Sequence, residues 1–333
     1  MDSMLFTVIV PSRGEEAKLL PLLEALGRQT LPRGRFEIVV VVDGAGVPEA
    51  ALARAPSLGA RIERLGTRAG PGAARNRGAR GVAGVFLAFT EDDCDPAPDW
   101  LERAAARLAA DPGLDVLEGV TVKPGGRTVR VRGDESPQYL PTNLFVRRSL
   151  FERVGGYETA FFDAARGIYF REDADFGFAL EEAGARIGRE AAALVTHPVE
   201  HPRYLDPLRW ARRYEMDALL AARHPRRFRE RIEVHRLGPW KVRRPIVRAS
   251  VVCVAAAAGA LAAGLLGLPR MAWPLLGIAA LAFVPVWAKW RFEPLRLPVF
   301  ALVPFALVLA LLRGRARLKG PSARSRPGTS APA

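Results

Sequence analysis

The sequence contains few cysteines, and it lacks a P-loop and a signal peptide. It has two Cys among 333 residues, Cys94 and Cys253, and they are too far apart to indicate a disulfide framework, so we expect a reducing compartment. The glycine-rich segment 70–76 does not end in Lys-Ser/Thr, which excludes a P-loop there. Residues 1–6 lack the charged region and cleavage site of a signal peptide. We therefore expect the first two hundred residues to stay in the cytoplasm.

Positive charge is abundant and unevenly placed. The formal net charge is +14, and residues 203–248 carry fourteen Lys and Arg against five acidic residues. This segment runs directly into long apolar stretches, so we expect residues 201–245 to form basic helices that lie on anionic lipid. Nucleic acid is the rival partner for such charge. We do not expect it, because the adjoining apolar stretches tether the segment to a membrane.

Three apolar stretches follow within residues 246–312. The first two, 246–268 and 271–288, are long enough to cross a bilayer as a tight helical hairpin. The third, 297–312, is shorter and contains two prolines, so it could span, re-enter or lie at the interface. The basic tail 313–333 has the composition of a disordered segment, and its side of the membrane depends on the third stretch. We expect small residues to bring the first two helices close together: Gly259, Ala263 and Gly264.

Residues 1–200 alternate between strand and helix patterns. An apolar run at 5–10, a helical repeat at 19–26 and a β-branched run at 36–42 make a βαβ order. The continuous valines at 39–42 suit a strand buried on both faces. We therefore predict an α/β domain with a mixed, mostly parallel sheet. Further strands are expected at 60–65, 85–89 and 115–122.

Four acidic side chains within five residues follow one of these strands: Glu91, Asp92, Asp93 and Asp95. Carboxylates this close raise one another's pKa unless a cation lies among them, and their oxygens suit Mg²⁺ or Mn²⁺. The alternative is a solvated acidic turn that caps a helix at 100–110. Cys94 is expected to be a small buried side chain, because thiolates prefer softer ions.

Other polar residues follow other strands and should meet the acidic run at one edge of the sheet. Pro11-Ser12 and Asp43 occupy such positions. Gly44 and Gly46 could instead begin a dinucleotide-binding loop, although the third glycine is missing. Arg75, near the start of a predicted helix, could reach a base or a phosphate, or could be a surface cap.

Together these segments resemble a membrane-associated family 2 glycosyltransferase with the GT-A fold, over residues 4–200. The matching segments are Thr7 to Ser12, Val40 to Gly44, Ala74 to Gly78, and Phe89 to Leu101 with Pro96, Pro98 and Trp100. The resemblance implies that Pro11, Ser12, Glu15 and Asp43 border the nucleoside, with Arg75 helping to hold it. It also implies that Asp93 is the main metal ligand, with Glu91 and Asp92 beside it. Asp93-Cys94-Asp95 offers a second Asp-x-Asp register, and we favour the first because it aligns Pro96 and Trp100.

The resemblance extends to a second acidic pair, Glu172-Asp173. In the family this pair supplies the general base, and we expect Asp173 to act as the base while Glu172 orients the acceptor or Asp173. Acidic residues at a helix start are ordinarily capping groups, so Glu172 and Asp175 could serve that role. His197 is either a structural histidine or a ligand of the metal or diphosphate.

The expected protein is an inverting glycosyltransferase of the cytoplasmic membrane. It would take a nucleoside diphosphate sugar, with Mg²⁺ or Mn²⁺, and a lipid-linked or envelope glycan acceptor. Two alternatives remain open at this stage. One is a nonenzymatic membrane scaffold with the same fold, and the other is a nicotinamide-dependent oxidoreductase using Gly44 and Gly46.

Overall fold

The computed structural model describes residues 4–45, 52–129, 138–199, 203–237, 240–290 and 293–319. The chain divides into two compact units, Met1–Glu200 and His201–Ala333. Gly46, which belongs to the dinucleotide-loop alternative, and residues 320–333 of the expected tail lie outside the described residues.

The N-terminal unit alternates strands and helices as its sequence predicts. Its main strands are β1 (Phe6–Ser12), β2 (Phe36–Asp43), β3 (Ala60–Leu65), β4 (Phe86–Phe89), β5 (Asp95–Pro96), β6 (Val116–Val122), β7 (Leu144–Arg147) and β10 (Ile187–Thr196). Two short strands, β8 (Phe162–Asp163) and β9 (Ile168–Tyr169), form a separate pair. The helices are α1 (Glu16–Gly27), α2 (Pro71–Gly78), α3 (Trp100–Ala110), α4 (Arg148–Val154) and α5 (Glu172–Glu182).

The eight main strands form one mixed sheet in the order β3-β2-β1-β4-β7-β6-β10-β5. Strands β3, β2, β1 and β4 are mutually parallel, and β6 and β10 run in the same direction. Strands β7 and β5 are antiparallel to their neighbours. The carboxyl ends of β1, β2, β4, β6 and β10 therefore lie at one edge of the sheet, which is where ligands of such sheets bind. The expected mixed, mostly parallel fold is confirmed.

Strand β2 shows why the sheet is covered on both faces. Its residues 36–42 are apolar except at one position, and Ile38 to Val42 are fully buried. Ile38, Val40 and Val42 join a core cluster with the leucines of α1, whereas Val39 and Val41 join a second cluster with α2, α4 and α5. Because successive strand residues point to opposite faces, an uninterrupted apolar run supplies both layers.

The C-terminal unit is mainly helical. It begins with α6 (Asp206–Arg213) and α7 (Asp217–Arg223), joined by a 3-10 turn, Tyr214–Met216, and short helical turns occupy 225–232. A hairpin of β11 (Val234–Leu237) and β12 (Trp240–Arg243) precedes three long helices, α8 (Pro245–Leu265), α9 (Pro269–Lys289) and α10 (Leu297–Lys319). Among the described residues, three helical segments are long and apolar enough to cross a membrane: Pro245–Leu265, Pro269–Lys289 and Pro294–Leu318.

Helices α8 and α9 form a closely packed hairpin through small side chains. Cys253, Ala256 and Ala260 are buried on α8, as is Ala263, which was expected at this interface. A Cβ added at Gly259 would lie 3.3 Å from Leu275, so this glycine also allows the close approach. Gly264, in contrast, is exposed with no atom within 4 Å of its would-be Cβ, and its expected role in the interface is wrong.

Two expectations for this unit need correction. The connector 201–245 was expected to be helical throughout, but its end forms the β11–β12 hairpin. In strand β12, Val242 is partly buried and Trp240, Lys241 and Arg243 are exposed, so the strand lacks the alternation that would have marked it in the sequence. The disordered tail was expected from residue 313, but α10 continues to Lys319. Its last turns contain Ala, Leu, Arg and Lys, which are strong helix formers.

Candidate functional site

The predicted site residues follow the strands that end at one edge of the sheet. Ser12 ends β1, Asp43 ends β2, the turn 91–93 follows β4, and His197 follows β10. The backbone N–H of His197 donates to the carbonyl of Val122 (2.8 Å), at the end of β6. Sheet topology therefore brings together residues that are more than a hundred positions apart in the chain.

Asp92 anchors the acidic turn to the first strand. The Ser12 hydroxyl donates to Asp92 Oδ2 (2.6 Å) and accepts the backbone N–H of Gly14 (2.9 Å). Ser12 is buried at the end of β1, so the hydroxyl fixes the turn relative to the sheet. Burial raises the pKa of Asp92, although the Ser12 hydrogen bond opposes this.

Glu91, Asp93 and His197 form a compact cluster with donor atoms for a cation. Single atoms of these residues and of Cys94 all lie within 4.8 Å of one another. His197 Nε2 is 3.5 Å from Glu91 Oε2 and 3.7 Å from Asp93 Oδ1. Two carboxylates and an imidazole are a donor set that suits a divalent ion such as Mn²⁺, and carboxylates with water suit Mg²⁺. The residues present therefore fit the expected metal.

His197 is oriented by its second ring nitrogen. Nδ1 lies 2.9 Å from the carbonyl oxygen of Pro198, a distance at which it donates its proton. With Nδ1 held in this way, Nε2 is the ring nitrogen that faces the carboxylates, an arrangement found in metal-ligating histidines. Hydrogen bonding to Glu91 raises the pKa of His197 to about 9, so the imidazolium balances these carboxylates when no other cation is bound.

The two neighbouring residues do not behave like ligands. Cys94 belongs to the core packed around α1 and α3, and burial raises its pKa, which keeps it a thiol at neutral pH. Asp95 is exposed and begins β5, opposite Thr196. The cluster is thus built from Glu91 and Asp93, and the alternative Asp93-Cys94-Asp95 register places only one carboxylate in it.

Arg75 is a buried bridge between the two acidic motifs. Its side chain is 1% exposed, Nη2 donates to Glu91 Oε1 (3.2 Å), and Nη1 donates to Glu172 Oε1 (3.0 Å). The guanidinium also lies 5.2 Å from the centre of the Tyr157 ring. Glu91 and Glu172 therefore both bind the side chain of Arg75, which lies on α2. The interpretation of Arg75 as an exposed surface cap is wrong.

The side chain of Asn76 ties α2 to the backbone of the chain segment that leads into α5. Asn76 Nδ2 donates to the carbonyl of Tyr157 (2.7 Å), and Asn76 Oδ1 accepts the Tyr157 N–H (2.8 Å). The Tyr157 ring stacks on Phe176 of α5 with centroids 4.2 Å apart. These contacts tie α2 to the chain that leads into Glu172 and Asp173.

Helix α5 begins with the second acidic pair. Glu172 is buried, and this burial raises its pKa to about 7 despite the opposing charge of Arg75. Asp173 is half-buried, and its Oδ1 accepts the N–H of Ala174 (2.7 Å). The preceding residue, Arg171, has a φ of 75°, a conformation that non-glycine residues rarely adopt and that is enriched at functional sites. Glu172 pairs with Arg75 instead of capping the helix.

The remaining predicted residues lie beside this cluster with other contacts. Asp43 accepts the backbone N–H groups of Ala69 (2.7 Å) and Gly70 (2.9 Å), so it shapes the loop that leads into α2. Pro11 is buried in β1, next to Ser12. Glu15 is exposed and pairs with Lys18 (2.9 Å).

Sequence reasoning missed Lys18. The hydrogen bond to Glu15 raises its pKa, and the charges of Asp92 and Asp93 add to the shift, so a cation on α1 faces the acidic turn. No motif marks this residue. Its one signal in the sequence is its position in the first turn of the helix that follows β1.

The chain is similar in sequence to known glycosyltransferases. The family model described as "Glycosyl transferase family 2" matches residues 7–177, just over half of the chain. Glycosyltransferase AglE of Haloferax volcanii is 29% identical over 199 residues, which cover 55% of this chain and 65% of AglE. A pre-mycofactocin glycosyltransferase of Mycobacterium tuberculosis is 30% identical over 214 residues, covering 57% of this chain and 42% of that protein. The chain thus spans less than two thirds of either relative.

A solved structure shows the same fold at low identity. The mannosyltransferase PcManGT from Pyrobaculum calidifontis, in complex with GDP-Man and Mn²⁺, aligns with a TM-score of 0.54 and 19% identity. The alignment covers 92% of this chain and 86% of that one. At this identity the likeness establishes the GT-A fold alone.

Proposed function

Because this chain belongs to glycosyl transferase family 2, we propose that it is an inverting glycosyltransferase with a nucleoside diphosphate sugar as donor. The proposed acceptor is lipid-linked or a growing envelope glycan, reached at the cytoplasmic face of the membrane. One observation carries the proposal: the acidic turn after β4 and the acidic pair at the start of α5 both bind the guanidinium of Arg75. Donor and acceptor chemistry would then share a single crevice.

The donor side of this crevice is built for a diphosphate with its metal. Asp93, Glu91 and His197 would hold Mg²⁺ or Mn²⁺, which neutralises the charge that grows on the leaving diphosphate. The presence of GDP-Man and Mn²⁺ in the complex of PcManGT supports a divalent metal and a nucleotide-sugar donor in general. Asp92, fixed by Ser12, keeps the acidic turn in position.

The nucleoside would lie along the ends of β1 and β2. Pro11 and Ser12 at the end of β1, Glu15 at the start of α1 and Asp43 at the end of β2 border this space. Arg75 is committed to two carboxylates, so its contribution to donor binding is to position Glu91. Lys18 offers a positive charge beside the same turn.

Asp173 is the proposed general base. An inverting transfer needs a carboxylate that takes the proton of the acceptor hydroxyl. The oxygen of that hydroxyl attacks the anomeric carbon in the same step. Asp173 is partly accessible, whereas Glu172 beside it is 6% exposed and paired with Arg75. Glu172 would therefore act as a positioning residue for Asp173, and the base would be the neighbour that can reach an acceptor.

A donor panel tests the donor class. Purified full-length protein is mixed with UDP, GDP and dTDP sugars, with and without Mn²⁺, and unfolding temperature and product formation are followed. We expect one base to raise the unfolding temperature only when the metal is present. Stabilisation by nicotinamide dinucleotides and by no nucleotide sugar would instead favour the oxidoreductase alternative. Stabilisation by a sugar nucleotide with no turnover toward any acceptor or water would favour the scaffold.

Asp93→Asn, with Asp95→Asn as its matched control, tests the metal assignment. Both changes remove one negative charge from the same acidic run, but of these two residues only Asp93 belongs to the cluster with Glu91 and His197. We expect Asp93→Asn to abolish Mn²⁺-dependent donor binding and Asp95→Asn to leave it unchanged. Equal loss in the two variants would assign the effect to net charge and would contradict the assignment.

A further inference from the structure

Helix α10 packs against the connector along most of its length, and this contact constrains how the chain can lie in a membrane. We infer that α10 is an in-plane helix at the cytoplasmic membrane surface, so that the chain crosses the bilayer only as the α8–α9 hairpin. In this topology Lys319 lies on the same side of the membrane as residues 4–199. The inference does not depend on the transfer reaction. It rests on contacts within the C-terminal unit.

Both ends of α10 contact the segment 203–223, here called the connector helix pair. Just before its N-terminal end, Arg296 donates to the carbonyl of Arg203 (3.4 Å). Trp290, which follows α9, lies against Trp210 with ring centroids 6.1 Å apart and stacks on Phe300 of α10 with centroids 6.0 Å apart. At the C-terminal end, Arg317 pairs with buried Glu215 (2.7 Å). A helix of 23 residues is about 34 Å long, so these contacts lie nearly a membrane thickness apart along α10.

The middle of α10 is packed on the same partner. Ala211 of α6 shares a buried cluster with Val303 and Leu307. A Cβ added at Gly314 would lie 2.3 Å from the carbonyl oxygen of Glu215 and 3.1 Å from the Ala218 side chain. The two helical segments therefore run alongside each other in the same direction, and neither can be reoriented without the other.

The connector helix pair is far too polar to cross a bilayer. It carries eight charged residues within 21 positions, and these include exposed arginines on α6: Arg209, Arg212 and Arg213. An arginine at the centre of a membrane helix is among the least favourable residues for insertion. Carrying the pair across together with α10 is thus strongly unfavourable. Placing both in the interface leaves the guanidinium groups among headgroups.

The free face of α10 is matched to the acyl boundary of a lipid leaflet. Its exposed apolar residues recur at spacings of three and four, which places them on one side of the helix: Leu302, Phe305, Leu309 and Leu312. Its buried residues occupy the opposite side, against the connector helix pair and the base of the hairpin: Val299, Phe300, Val303, Leu307 and Ala310. The occupant of the exposed face is therefore the bilayer itself.

In the described part of this unit, the residues of α8 and α9 that share a buried cluster with α6 and α10 come from one end of their hairpin. Val247 of α8 and Phe283 and Val286 of α9 pack in the same cluster as Ala211 and Val303. The opposite end, around Leu266 and Met271, is 74% and 60% exposed. The hairpin therefore projects away from α10 and the connector helix pair, with its apolar tip exposed. Such a hairpin accounts for the two crossings.

Cysteine labelling tests the sidedness. In full-length protein with Cys94 and Cys253 replaced by Ala, a single cysteine is introduced by Arg103→Cys, Leu266→Cys or Arg315→Cys, and a membrane-impermeant maleimide is applied to sealed vesicles of each orientation. We expect Arg315→Cys to label from the same side as Arg103→Cys in the N-terminal unit. We expect Leu266→Cys to label from the opposite side. Labelling of Arg315→Cys together with Leu266→Cys would establish a third crossing and overturn the inference.

A depth measurement gives an independent answer in the same protein. Nitroxide labels at 302, 305, 309 and 312 sample about 15 Å along the helix axis. In an in-plane helix all four report similar, shallow depths from the accessibility to oxygen and to a polar nickel complex. In a crossing helix the depth changes steadily from 302 to 312. Labels at 276 and 281 on α9, both on its exposed surface, provide the crossing control.

Discussion

Replacing Arg75 by Met should destabilise the protein severely, because it removes the cation that two acidic side chains share. Arg75 is 1% exposed and Glu172 is 8% exposed by side chain, so the Arg75–Glu172 pair is buried. Removing one partner of a buried pair costs about 3–5 kcal/mol. For a unit of this size each kcal/mol shifts the unfolding temperature by about 2–4 °C, which gives a decrease of about 6–20 °C. This decrease in unfolding temperature can be measured by thermal unfolding in detergent, followed by tryptophan fluorescence.

A matched control lies two residues further along the same helix. Arg77 pairs with Glu63 (2.7 Å), but its side chain is 44% exposed, and exposed pairs contribute about 1 kcal/mol or less. We therefore expect Arg77→Met to lower the unfolding temperature by only a few degrees. Similar shifts for the two variants would refute the reasoning that the Arg75 bridge is buried and paired.

The pH dependence of the Arg75→Met variant provides a second check on the same reasoning. Burial raises the pKa of Glu172 from 4.5 to about 7 in the folded state, so wild-type stability falls as pH rises through that interval. Arg75 opposes this shift, so its removal should raise the pKa of Glu172 further, in the presence of the nearby charges of Asp173 and Glu91. The destabilisation should thus be larger at pH 8 than at pH 6. A constant difference across this range would contradict the pairing of Arg75 with Glu172.

Three further predictions concern turnover, the metal and the core. Asp173→Asn should leave donor-induced stabilisation nearly intact and lower turnover by about 10²–10⁴-fold; unchanged turnover would place the base elsewhere. His197→Gln should raise the Mn²⁺ concentration for half-maximal donor binding by at least about tenfold, and an unaltered Mn²⁺ titration would make His197 structural. Asn143→Ala should cost about 3 kcal/mol of stability, because buried Asn143 accepts from Trp100 Nε1 (2.8 Å) and donates to the carbonyls of Val120 and Ala193; a loss below about 1 kcal/mol in a denaturant titration would contradict it.

The elements that sequence predicted well are those whose apolar pattern has one interpretation. The β-branched run at 36–42 could only be buried on both faces, and β2 is Phe36–Asp43. Helix α3 was placed at residues 100–110, as found, because the preceding Asp and Pro residues stop the chain from entering a helix earlier. Helix α4 likewise ends at a glycine, Gly155, whose φ of 85° is typical of a glycine that closes a helix.

The errors arose where long-range contacts decide the structure. Nothing local shows that Arg75 is buried, because an arginine on a short helix is ordinarily exposed and its partners lie 16 and 97 residues away. The pairing of Glu172 with Arg75 was missed for the same reason, and capping had remained an alternative to the expected role of Glu172 in orienting the acceptor or Asp173. The two-residue strand β5 exists only because β10 pairs with it, and such a strand carries no periodic signal of its own.

The route of the chain through the sheet separates the members of the proposed metal cluster widely in sequence. Glu91 and Asp93 follow the fourth strand, whereas His197 follows the tenth, which joins the sheet beside β6. A nascent chain that ends before residue 187 could pair β1, β2, β3 and β4 and still lack the imidazole. If the cluster binds a cation as proposed, cation affinity would therefore report whether β10 has joined the sheet.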